Sequence, residues 1–364
     1  GAQSPSAQQY ILPLTLNSSV TIKARSRNGA NWSALMEAHF SVGTVPAAAG
    51  NLVISKIHYR PGAPTTAEVT AGYNDRSLFE FIEVLNISNN KVNIASIQVG
   101  SGLDIEFVPG GVTELVPGGR ALFVADKAAF EFRYGTGLPI AGVFALGSNL
   151  NNSGENLQLL ASNESTIVGF AYSDVAPWPS TPDGTGASLV LTHPATSDPT
   201  VPWNWRASTS PSGAPGIDDR LVYSAWQSAS FSPADPGFPA IAEPAADPDA
   251  DGFANLIEFG MGLDPKVPEN PVSGPSAEIQ MLDAGSGPQE FLVFSFRTVK
   301  AAEQVTWVPE SSEDFLQWNI PPTNVVLVGD PIDHGDGFET RHYRTSQPIN
   351  SSGQFWRLRA MFSP

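Results

Sequence analysis

Glycine and proline break this chain at intervals too short for long helices. The 364 residues include 33 glycines and 32 prolines, about half again the usual share of these two residues. Glycine supplies backbone conformations that side chains disfavour, whereas proline fixes φ and removes a hydrogen-bond donor. Chains punctuated in this way form many short strands joined by turns. Between the turn signals the apolar residues alternate, as they do in strands that pack a face on a core. There is no apolar run of about 20 residues, so no membrane-spanning helix is expected.

The first alternation places Val20, Ile22 and Ala24 on one strand face. Asn28-Gly29 then makes a turn, and a second strand runs from Trp32 to Phe40 and Val42. "TVPAAAG" reads as a linker. Residues 51–216 follow as one long unit containing "LVISKIHYRP", "FEFIEVLNIS", "KVNIASIQV", "LDIEFVPGG", "TELVPGGRALFVAD", "ENLQLLASNESTIVGFAY" and "GASLVLTHP". Within it Phe79, Phe81, Glu83 and Leu85 alternate with Glu80, Ile82 and Val84, so both faces carry apolar groups, as in a sandwich. The stretch "AAFEFRYGTGLPIAGVFALGSNLNNSG" is long enough to hold a short helix at one end of that sandwich. Residues 276–364 form a last β-unit with strands "EFLVFSFRTV", "QVTWVPESS", "TNVVLVGD", "FETRHYRTS" and "QFWRLRAMF", and "SEDFLQW" reads as a helical turn.

Residues 217–265 differ. Val222, Ala225, Trp226 and Ala229 stand at helical spacing, with Asp218 or Asp219 as the cap. After a proline-rich stretch comes "DPDADGFANLIE", residues 247–258. A hard cation takes six to eight oxygens, and a twelve-residue loop supplies them from positions 1, 3, 5, 7, 9 and 12. Asp247, Asp249 and Asp251 fill positions 1, 3 and 5, Gly252 provides the turn, and Phe253 offers a backbone carbonyl. Asn255 and Glu258 fill positions 9 and 12. An acidic helix start accounts for one or two aspartates, but four carboxylates within twelve residues repel one another without a cation. The large, flexible donor set favours Ca2+ over Mg2+. Phe253, Leu256, Ile257 and Met261 line the helix that follows, Gly262 stops it and Pro265 prevents its continuation. About fifteen residues separate the first helix from the loop, unlike an ordinary EF-hand.

Several of these stretches carry family resemblances. "EFIEVLNIS" with "VNIASIQV", "LVPGGRALFVAD" after an F-x-P-G turn, "GENLQLL", Y-x-D-x-x-PWP, "DGTGASLVL" and W-x-W before "SGAPG" together resemble a bacterial lamin tail domain over residues 51–216. That resemblance implies an immunoglobulin-like β-sandwich that binds or scaffolds and has no catalytic residues. Residues 1–46 resemble the end of the immunoglobulin-like domain found beside chitobiases, so the chain is expected to begin partway through a domain. "DPDADGFANLIEFGMGLDP" is similar to the thrombospondin-type-3-like calcium segments of secreted bacterial proteins, which makes residues 217–265 a calcium-stiffened, EF-hand-like linker. The end "FWRLRAMF" resembles the C-terminal β-domain that follows such segments, here residues 276–364.

A net charge of -17 opposes a phosphate backbone and argues against non-specific nucleic-acid binding. Without cysteine there are no disulfides and no thiolate chemistry. His39, His58, His193, His334 and His342 begin no H-E-x-x-H run, and nucleophile-elbow, P-loop and dinucleotide-binding signatures are absent. Residues 330–339, with Asp333 and Asp336, read as a hairpin turn rather than a second cation site. Trp178, Trp203 and Trp205 are either a sugar-stacking platform or buried sandwich tryptophans, with Arg206 packed on an indole. The sequence therefore reads as a mainly β, non-catalytic, calcium-stabilised binding or scaffolding region of an exported bacterial protein. Its expected partner is a protein or polysaccharide at the cell surface, without nucleic acid or membrane insertion. The alternative is a carbohydrate-binding or positioning tail of a larger secreted enzyme.

Overall fold

The computed structural model describes residues 7–40, 42–100, 103–269, 274–322, 324–349 and 355–363. It is mainly β, with several sheets and no barrel. Among the described residues four short α-helices interrupt the strands: α1 (Thr66–Thr70), α2 (Lys127–Tyr134), α3 (Tyr223–Ser230) and α4 (Asn255–Met261). Among the described residues no helix is long and apolar enough to cross a membrane.

A seven-stranded sheet runs in the order 105–107, 140–144, 120–124, 81–86, 52–58, 189–191, 205–207. Two three-stranded sheets accompany it, one built from 166–173, 154–160 and 98–100 and the other from 114–115, 92–93 and 45–46. Ile54, Ile82, Val84 and Phe123 from the large sheet share one core with Leu157, Leu159 and Phe170 from the first small sheet and Val92 and Leu115 from the second. The central strand Phe81–Asn86 is buried along its whole length, because Ile82 and Val84 join that core while Phe81 packs on the opposite side with Phe130 of α2. The expected short helix in the 128–154 stretch is therefore α2, which covers the back of the sheet.

The strand Leu52–His58 shows how local sequence sets this arrangement. Its pairing with 81–86 shifts between Ile54 and Lys56, a bulge that lets two residues oppose one. Ser55 and Lys56 thus both reach Glu83, Ser55 Oγ donating to Oε1 at 2.8 Å and Lys56 Nζ to Oε2 at 3.2 Å. Without the bulge, a strict period of two would place Ile54 and Ile57 on opposite faces.

In the C-terminal part, strands 276–283, 288–299, 338–345 and 325–327 form one sheet in that order, and 305–312 pairs with 355–362. Phe294 and Phe296 meet Trp307, Trp356 and Leu358 between them, together with Met261 of α4. Tyr223 of α3 and Leu256 and Phe259 of α4 form a second cluster with Ala302 and Val305. Residues 217–265 thus lay two helices on the C-terminal strands. α4 fits closely because residue 260 is glycine: a Cβ there would lie 2.4 Å from the Trp307 ring.

Three local readings need correction. Helix α3 exists, but of the expected line only Trp226 packs inward, beside the buried Tyr223, while Val222, Ala225 and Ala229 are exposed. Its cap is Val222 without a side-chain bond, since Asp218 pairs with Arg220 and Asp219 is buried against Arg206. "SEDFLQW" forms bends rather than a helical turn, because the Asp314 side chain accepts from the backbone of Leu316 and Gln317 and Phe315 takes φ 61°.

At the N-terminal end, Val20–Ala24 pairs with Met36–Phe40. The pairs Val20 with Phe40, Ile22 with Ala38 and Ala24 with Met36 place the apolar side chains on a single face.

Candidate metal centre

The loop before α4 draws its carboxylates together with its own backbone. Gly252 takes φ 97° with open space beyond its Cα, so conformation rather than room requires glycine there. Its N–H donates to Asp247 Oδ2 at 3.0 Å, Asp251 N–H donates to Asp249 Oδ1 at 3.3 Å, and Phe253 N–H donates to Asp251 Oδ1 at 2.7 Å. One carboxylate oxygen from each of Asp247, Asp249 and Asp251 lies within 4.8 Å of the other two, forming the single such acidic or histidine cluster among the described residues.

Glu258, on the first turn of α4, is fully buried, and both its carboxylate oxygens lack a hydrogen-bond partner. Burial, followed by the charges of Asp249, Asp251, Asp247 and Asp264, pushes its pKa up to about 8. Asp249 is also raised, by burial and then by Asp251 and Asp247, and its Oδ2 is buried without a partner. A buried carboxylate normally accepts hydrogen bonds or meets a cation. These oxygens accept no hydrogen bond from the protein, and the charges acting on them are negative.

The remaining expected ligands are arranged less simply. Phe253 contributes no polar side chain, and its ring lies against Gly274. The buried Asn255 uses its amide nitrogen to donate to Ile241 and Glu243 carbonyls, both at 2.8 Å, which ties the 240–242 turn to α4. Its Oδ1 has no partner. Asp264 was missed from the sequence, because it lies outside the twelve-residue spacing. Gly262, in the left-handed region at φ 72°, turns the chain after α4 and brings Asp264 back near Glu258. The same return lets Glu269 N–H donate to Asp251 Oδ2 at 2.9 Å.

This donor set fits a hard divalent cation: oxygen only, several charges, and buried acceptors with no donor of their own. Asp247, Asp249, Asp251 and Glu258 would hold the ion, with the Phe253 carbonyl and Asn255 Oδ1 completing the shell.

The other acidic turn is differently occupied. Asp333 accepts from Lys300 Nζ at 2.6 Å and from Gly335 N–H at 2.7 Å, while Asp336 pairs with Arg297. It is a hairpin turn with Gly335 and Gly337 at positive φ. Trp178 and Trp205 are buried and pack together with Phe170. That excludes a three-tryptophan platform. Arg206 is buried as well, donating to Asp219 and Glu303 rather than lying on an indole.

Comparison with protein-family models, with curated proteins and with solved structures finds no match for this chain.

Proposed function

We propose that residues 247–258 bind Ca2+ and that the chain is a non-catalytic, calcium-stabilised binding or scaffolding region of an exported bacterial protein. The observation that carries the metal reading is Glu258, buried with both oxygens unpartnered and within the field of three clustered aspartates. A divalent ion supplies the positive charge these groups lack. It also ties the loop to α4, and α4 to the C-terminal strands through Leu256, Phe259 and Met261. Within this reading, residues 51–216 are an immunoglobulin-like sandwich of lamin-tail type, and the calcium segment 217–265 acts chiefly by seating its helices on the 276–364 unit.

Support for a binding rather than catalytic role comes from where the polar groups are used. Glu83 accepts from Lys56, Arg120, Ser55 and the Gly216 N–H, and Glu68 is held by Arg133 and its own helix cap. These carboxylates are committed to structure. Calorimetric titration with Ca2+ tests the metal reading: the protein should take up a single equivalent, and Asp249→Ala and Glu258→Ala should take up none. Absence of calcium uptake by the unsubstituted protein would remove the proposal.

A further inference from the structure

A cleft of about 250 Å³ lies between the sandwich and the C-terminal strands, well away from the acidic loop in sequence. The sandwich contributes His193, Trp203 and Asn204, while the C-terminal unit contributes Lys300, Trp307 and Glu339. Glu339 is 2 % exposed. Its Oε1 accepts from Arg341 Nε at 2.5 Å, whereas Oε2 has no hydrogen-bond partner and lies 3.9 Å from Lys300 Nζ. Lys300 directs two of its three N–H donors elsewhere, to the Trp205 carbonyl at 2.7 Å and to Asp333 at 2.6 Å, and meets Oε2 only as a long ion pair. The cleft therefore holds a buried acceptor that lacks a donor.

Charge narrows what would supply that donor. Lys300 and Arg341 balance Glu303 and Glu339 in the lining, so neither a free anion nor a free cation is favoured. A neutral ligand rich in hydroxyls fits: one O–H donates to Glu339 Oε2. Aromatic faces complete the fit. Trp203 is half-buried at the cleft. The Trp307 indole is held in place, its Nε1 donating to Thr298 Oγ1 at 2.8 Å. Fixed or partly exposed indoles present a large amphipathic surface at little conformational cost, and a pyranose ring offers a C–H face to meet one. The cavity is smaller than the roughly 300–1,000 Å³ of drug-sized pockets, which suits one sugar ring of a longer chain rather than a buried oligomer.

We propose that this cleft binds a neutral saccharide unit, with Glu339 Oε2 accepting from a hydroxyl and Trp203 stacking on the ring. The site shares no residue with the metal loop, but its Trp307 and Thr298 pack on Gly260 of α4, so calcium is held constant in the test. The test is affinity electrophoresis in calcium-containing gels, each cast with a neutral polysaccharide: xyloglucan, galactomannan, a β-1,3-glucan or glycol chitin. At least one should retard the protein. Trp203→Ala should weaken that retardation by about tenfold or more while leaving the unfolding midpoint in place, since the side chain is only half-buried. Glu339→Gln should weaken it too; should that variant fail to fold, Trp203→Ala decides. Trp318→Ala, which removes an indole stacked on Arg357 elsewhere, should change nothing. Failure of all four polysaccharides to retard the protein overturns the proposal, and so does retardation undiminished in Trp203→Ala.

Discussion

At position 258 a glutamine would keep the shape of the side chain and remove its ionisation. In a chelator at pH 7, Glu258→Gln is expected to be as stable as the unsubstituted protein or more so, because the carboxyl, raised to about 8, must take up a proton to be buried beside the aspartates and the amide need not. With calcium present the order should reverse, since a ligand has gone. Urea unfolding in both conditions reads the crossing, and lower stability of the variant in chelator would count against repulsion at this site. A second single-residue effect concerns pH. His58 is buried against Phe81, with Tyr134 Oη 3.5 Å from its Nδ1. Burial, then the Arg133 charge, holds its pKa down to about 3. Its unfolded pKa is near 6.5, so between these values the unfolded state binds the extra proton. The stabilisation is present above pH 6.5 and is lost as pH falls towards 3, at up to about 1.4 kcal/mol per unit. Comparing stability at pH 7 and pH 4.5, His58→Leu should show a shallower loss than the parent; equal slopes would mean that the imidazole titrates freely in the fold.

Among the elements, α4 packs closely on the C-terminal strands. Gly260→Ala would place a Cβ 2.4 Å from the Trp307 ring, and that ring is pinned through Thr298, which also donates to the Gly260 carbonyl at 2.9 Å. Overpacking of this kind costs about 1–3 kcal/mol. Denaturant unfolding should show the loss, and a neutral substitution would mean that the indole swings away. The sequence made this helix legible because a spacing rule, a left-handed glycine and a proline all agreed on its limits. Strands such as 81–86 and 120–124 were legible for a similar reason, as their apolar residues really are buried. Strand Ser276–Asp283 was not recognised, because its apolar residues Ile279 and Met281 face solvent and lie on an edge, leaving no burial pattern to read. Helix α1 escaped notice for want of length, although Thr65 and Glu68 form a capping box. The cap of α3 was misjudged because Asp218 and Asp219, the obvious candidates, are used by arginines instead. The cluster of Asp247, Asp249 and Asp251 was readable because its residues are local in sequence. Asp264 and the Glu339 cleft depend on chain return and on contact between units, which spacing does not encode.

For the whole molecule, contact between the sheets of residues 45–207 and the C-terminal strands includes a buried polar lattice. Arg206 donates to Asp219 at 2.6 Å and to Glu303 at 3.1 Å, and Glu303 also accepts from the His193 N–H at 2.8 Å. Removing one partner of a buried pair leaves an uncompensated charge and costs about 3–5 kcal/mol. Arg206→Met should therefore split unfolding into two transitions by separating the units, and a single unshifted transition in calorimetry would show that the lattice does not couple them. The proposed calcium site would act on the same scale, since α4 joins the loop to the C-terminal core. The most direct measurement is thermal unfolding in excess EDTA and again across millimolar calcium. The account predicts a midpoint that rises with calcium and keeps rising with its concentration, by about 2.7 kcal/mol of stability at a hundredfold excess over Kd, and no such rise in Asp249→Ala. A midpoint that is the same in EDTA and in calcium would contradict it.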